Sequence, residues 1–216
     1  MEKILIEKAK AFVQDSLKHA EGGHDWFHVL RVYRNALLIA EKEAVDTTTV
    51  ALGALLHDIA DPKFHDGDET LGPRLAREFL QEQNAPGELI EEVIYIIQHC
   101  SFGGGFQKAK KPSLALQIIQ DADRLDALGA IGIARTFNYG GFKNRALYDP
   151  SIPPQQYATK SAYRNSKAPT INHFYEKLLL LKDEMHTTTA KKIAEERHAF
   201  METFLEQFYA EWEGKK

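Results

Sequence analysis

One cysteine, Cys100, stands in 216 residues, so no intramolecular disulfide can form and a stapled scaffold is excluded. No apolar run approaches the roughly 20 residues that span a bilayer. The opening MEKILIEKAKAFVQD mixes charge into its apolar residues and lacks a signal peptide's continuous apolar core. A soluble, cytoplasmic protein with no membrane partner is the resulting expectation. Neither sign of charge dominates: 27 Lys and Arg against 31 Asp and Glu leave −4, with a pI near 6.1. A broad electrostatic attraction to nucleic acid is therefore missing. A small phosphorylated ligand stays compatible, because a bound metal and a few local cations override the global sign nearby. Internal repeats, low-complexity tracts and strand-like alternation are absent as well.

What is present is helical periodicity. With 44% hydrophobic residues, a chain of this length can bury roughly 70% of its unfolded surface without staples. A first helix is predicted over about 3–17, stopping before Gly22-Gly23. Asp25 caps a second, WFHVLRVYRNALLIAEKE, with Phe27, Leu30, Leu37 and Ala40 broadly on one side. Asp46 or Thr47 opens a third, TTVALGALLHDIA, ended by Pro62. A segment over 71–83 follows, and Pro86-Gly87 opens ELIEEVIYIIQHC. Ser113 caps a continuous LALQIIQDADRLDALGAIGIARTF, and helices near 170–185 and 188–213 close the chain. Two irregular stretches interrupt this pattern: 101–112, with three consecutive glycines and a lysine cluster, and 138–169, with four of the eight prolines. An irregular segment as long as the second is uncommon inside a compact domain and often functional. The expectation is one all-α domain over 1–216, with a core at about 20–130 and C-terminal helices at about 170–213 packed on it.

Four residues stand out within this helical chain. His57 and Asp58 form an adjacent polar pair at the end of the apolar run VALGALL, where neither belongs without partners. His28 and Asp123 lie on predicted helices among apolar neighbours. Two imidazoles and two carboxylates together make a mixed nitrogen–oxygen site suited to a divalent metal such as Mn, Mg, Fe, Co, Ni or Zn. Taken singly, each is as well explained as a satisfied core histidine or a helix-capping aspartate. The ordered set is not.

The order H…HD…D, within GHDWFHVLRV, ALLHDIADPKF and IIQDADRLDALGAIG, resembles the HD superfamily of metal-dependent phosphohydrolases. The similarity runs over essentially the whole chain. With TINHFYEKLLLLKDEMHTTTAKKIAEERHAF it points to the bacterial stand-alone branch. It implies an all-α bundle around a metal held by His28, His57, Asp58 and Asp123. Asp61 matches an acidic residue that several nucleotide-cleaving members use on the attacking water, although some relatives have Glu there; a helix-ending Asp before Pro62 is the alternative. His99 is the histidine available between the pair and Asp123 besides loop residue His65, too few for a second strong metal site. It is expected to face the substrate phosphates or the water, unless it is merely packed at a helix end. Arg124 and Asp126 flank Asp123 and are expected to support it. Lys143 and Lys177 are the chosen substrate-binding cations.

The implied reaction is hydrolysis of a nucleotide, a (deoxy)nucleoside triphosphate yielding monophosphate and pyrophosphate. The alternatives are another phosphomonoesterase or nucleotide-signal hydrolase of the superfamily, or a metal- or nucleotide-binding sensor without turnover. An oxygen-activating two-iron protein would need histidine ligands that the chain does not clearly supply. The oligomeric state is not legible.

Overall fold

The computed structural model describes residues 2–18, 20, 25–60, 68–100, 111–157 and 166–216. Among these it is all helical, with no strand, and no helix is long and apolar enough to cross a membrane. The chain forms two compact units, 1–123 and 124–216.

The first unit is built around a helix buried along all but its first residue. Helices α1 (Glu2–Ser16), α2 (Trp26–Ala40), α3 (Thr47–Leu56), α4 (Leu71–Glu82) and α5 (Gly87–Cys100) precede α6 (Leu114–Asp126), in which the first unit ends. Every residue of α3 from Thr48 to Leu56 is buried, and α1, α2 and α5 pack against it. An apolar sequence free of charge permits this, since a helix apolar on all sides can be covered on all sides. Gly53 makes the packing close: a Cβ there would lie 2.6 Å from Ile119 Cδ1 of α6 and 3.1 Å from Ile96 Cδ1 of α5. Asp46 caps α3 by accepting from the Thr48 and Thr49 amides at 3.2 and 2.9 Å. Val29, Leu52, Leu55, Leu56, Leu80 and Val93 form the centre of the apolar core, each without exposed surface. Burying such a side chain stabilises by roughly 1.5–3 kcal/mol.

The second unit holds α7 (Gly129–Phe142), α8 (Asn172–Glu176), a 3₁₀ segment (Leu178–Glu184) and the long α9 (Thr188–Trp212). Its interior is aromatic. Phe137 of α7 meets Phe174 of α8 at 6.2 Å between ring centroids and Phe204 of α9 at 5.9 Å. Tyr148 stands edge-on to Phe208 and Trp212.

The structure corrects three sequence expectations. The segment expected as one helix from 114 onward is two, because Leu128 is extended and Gly129 takes φ +68° between α6 and α7. The buried face of α2 is His28, Val29, Val32, Ala36, Ile39 and the expected Ala40, whereas Phe27 is 63% exposed. A Phe27-centred face would have turned His28 away from the interior. The third correction is the end of α3, which closes at Leu56 rather than at Pro62. The His57 ring lies 2.8 Å from the Ala54 carbonyl, the acceptor that the Asp58 amide would use in a continuing helix.

Candidate metal centre

The four singled-out residues lie in or directly after three helices of the first unit. His28 sits in the first turn of α2, where the Asp25 carboxylate accepts from its backbone amide at 2.9 Å and caps the helix. His57 and Asp58 follow the last residue of α3, and Asp123 lies in the last turns of α6. His28 Nε2 is 3.5 Å from Asp123 Oδ1 and 3.9 Å from Asp58 Oδ2. One donor atom each from His28, His57 and Asp58 falls within 4.8 Å of the others. The two imidazole rings meet edge-on at 5.5 Å between centroids. The His28 side chain is 2% exposed, while those of Asp58 and Asp123 are 14% and 28% exposed. Nitrogen is thus at the floor and carboxylate oxygen nearer the solvent.

This donor set fits a divalent cation. Ligands bound at roughly 2.1 Å lie no more than about 4.2 Å apart on one ion, and the 3.5 and 3.9 Å separations meet that limit. Two carboxylates balance a dication's charge. The His57 contact sets its tautomer: with Nδ1–H donating to the Ala54 carbonyl, the lone pair is on Nε2. Metal-binding histidines are ordinarily oriented in this way by a carbonyl or carboxylate behind them.

The remaining sequence-predicted residues fall elsewhere or outside the description. Asp61 lies outside the described residues. His99 is at the end of α5, its Nδ1 2.8 Å from the Tyr95 carbonyl and its ring 4.3 Å from that of Tyr95. Its own carbonyl accepts from Gln120 Nε2 of α6 at 2.9 Å. Cys100 is buried, as its small apolar character suggests. Lys143 and Lys177 both belong to the second unit. Lys143 Nζ lies over the Phe142 ring at 4.8 Å and the Tyr139 ring at 5.6 Å. Lys177 ends α8 and is half-buried. Burial, helped by the charges of Lys177 and Arg145, pushes the His173 imidazole down to about 3. Asp126 pairs with Arg135 at 2.6 Å, and Arg124 Nε lies 3.8 Å from Glu184. Arg135 was missed in the sequence because α6 and α7 read as one helix, and Arg197, which donates to the Leu125 carbonyl, because that pair is 72 residues apart along the chain.

The family model for the HD domain matches residues 26–128, a stretch that contains all four donors. A crystallised HD-superfamily hydrolase from Bacillus thuringiensis is 42% identical, covers 99% of each chain and superposes with a TM-score of 0.79. The uncharacterised protein YpgQ of Bacillus subtilis is 40% identical over 206 residues, 93% of this chain and 90% of its own. Its crystal structure in complex with ADP superposes with a TM-score of 0.75 at 33% identity over 97% and 96% of the two chains. A predicted HD-superfamily hydrolase from an uncultured Thermotogales bacterium is more distant, 28% identical at a TM-score of 0.64 over 95% and 92%. The HD order, its helical setting and these whole-length similarities agree, and the chain belongs to the HD superfamily of metal-dependent phosphohydrolases.

Proposed function

We propose that His28, His57, Asp58 and Asp123 hold one divalent metal and that the protein hydrolyses nucleoside or deoxynucleoside triphosphates to monophosphates and pyrophosphate. The approach of His28, His57 and Asp58 to one another, with Asp123 3.5 Å from His28, carries this reading. A bound divalent ion supplies Lewis acidity toward a phosphoryl oxygen and lowers the pKa of a water molecule. The chain's residues then divide the remaining work. His57, with Nδ1 engaged by Ala54, presents a fixed lone pair. The Asp58 and Asp123 carboxylates, more exposed than His28, supply the oxygen donors.

To Asp61 we assign the role that the family resemblance implies, accepting the proton of the attacking water. His99 is assigned the contact with the substrate phosphates or the attacking water; with Nδ1–H donating to the Tyr95 carbonyl, Nε2 is the nitrogen left for it. Lys143 and Lys177, both in the second unit, are the cations we assign to substrate binding. Nucleotide chemistry draws support from YpgQ, which was crystallised with ADP.

The test is a nucleotide screen with several divalent metals in ¹⁸O-labelled water, products being separated by anion exchange. Label in the monophosphate with unlabelled, intact pyrophosphate is expected. Label in orthophosphate beside a nucleoside diphosphate would mean attack at the terminal phosphorus and would overturn the proposed bond. Free nucleoside with tripolyphosphate would overturn it too.

A further inference from the structure

The last turn of α6 is held from outside in an unusually complete way. A helix end leaves its final carbonyls without intrahelical partners, and here arginines donate to two of them, the Leu125 carbonyl accepting from the Leu128 amide as well. Arg135 Nη1 donates to the Asp126 carboxylate at 2.6 Å and to the same residue's carbonyl at 3.2 Å. One guanidinium nitrogen therefore clamps side chain and main chain together. Arg197 Nη1 donates to the Leu125 carbonyl at 2.6 Å. Positive charge at this end also complements the helix dipole. Asp126 is 1% exposed, so its carboxylate requires a charged partner.

Two glycines let the chain close around this turn. Gly129 takes a left-handed conformation, and a Cβ there would meet the Arg197 stem at 3.1–3.2 Å. A Cβ at Gly132 would lie 2.2 Å from the Ala127 carbonyl oxygen. The helical surface matters because Asp123 precedes Asp126 by three residues, placing both on one side of the same uninterrupted helix.

We infer that Arg135 and Arg197 are positioning residues for the metal centre: through Asp126 and the Leu125 carbonyl they fix the last turn of α6, and with it the direction of the Asp123 carboxylate. The inference rests on the proposed role of Asp123 as a metal ligand. Neither arginine needs to touch metal or substrate. Rotation of the turn would carry Asp123 Oδ1 away from its place 3.5 Å from His28 Nε2. Partners that orient a ligand from behind typically account for 10–100-fold in metal affinity.

The experiment measures the dissociation constant for Mn²⁺ of the full chain, without substrate, from the electron paramagnetic resonance signal of the free ion. Thermal unfolding of the metal-free protein is recorded beside it. Arg135→Gln is expected to weaken Mn²⁺ binding about 10–100-fold, and Arg135→Lys, which can still pair with Asp126, to recover most of the loss. Arg197→Met keeps the stem against Gly129 and removes the hydrogen bond. It is expected to weaken binding about 10-fold, and it decides the question alone if Arg135→Gln does not fold. Folded arginine variants with wild-type affinity, beside an Asp123→Ala that has lost it, would overturn the positioning role and leave the ligand assignment standing. Wild-type affinity in Asp123→Ala would overturn both.

Discussion

At Asp58 the proposed coordination meets its simplest chemical test. Affinity depends on the number of ligands, so Asp58→Ala should purify metal-poor and inactive. It should also remain folded, because the apolar core of the first unit is made by other residues. Full metal content and activity in that variant would refute the coordination. His173 offers a test of a different kind. Its folded-state pKa, about 3, lies below the ordinary 6.5 because of burial and the charges of Lys177 and Arg145. Between these values the unfolded chain binds a proton that the folded chain refuses, so stability falls as pH drops from about 6.5 toward 3. The contribution is complete above 6.5. His173→Gln should flatten this part of a profile of melting temperature against pH, and an unchanged slope would refute the assignment. His28, His57 and Asp58, which the structure brings together, were legible as candidates because polar residues interrupt apolar helices there. The direction of His57 was not, since it depends on a ring nitrogen finding a carbonyl three residues back.

Among the elements, α6 and α7 show where periodicity stops being informative. LALQIIQDADRLD and GAIGIARTF both carry helical spacing, and nothing in that spacing marks the break. The mark is steric. Gly129 needs positive φ, and Gly132 sits where any side chain would strike the Ala127 carbonyl. Gly132→Ala should therefore destabilise the protein by about 1–3 kcal/mol or more, the scale of forced overpacking, instead of giving the gain a helical Gly→Ala change gives at an open site. Denaturant unfolding measures this directly, and a stabilised variant would contradict the packing. Caps were read more easily, because Asp25, Asp46 and Ser113 each supply a short side-chain acceptor one turn before the amide they bind. The end of α3 was misread because Pro62 is an obvious terminator and the Ala54–His57 contact is not.

For the molecule as a whole, a net charge of −4 means that an anionic substrate gains nothing from the long-range field. Binding has to be local. The all-α class followed from periodicity, whereas the two compact units did not, because α6 runs across their boundary without interruption. The burial of α3 on every side has a consequence for the time course of the protein's motions. Amides in such a segment exchange with deuterium only when the surrounding structure opens globally, whereas a helix with an exposed side can fray by itself. Residues Val50–Leu56 should thus be among the slowest-exchanging amides. His57 and Asp58 follow this segment directly, so half of the proposed ligand set is anchored to the least yielding part of the chain. If a chelator strips the metal faster than those amides exchange, departure cannot require their unfolding. His28 and Asp123 would then be the ligands that give way first, and the rate of metal loss would report on α2 and α6 while α3 stays closed.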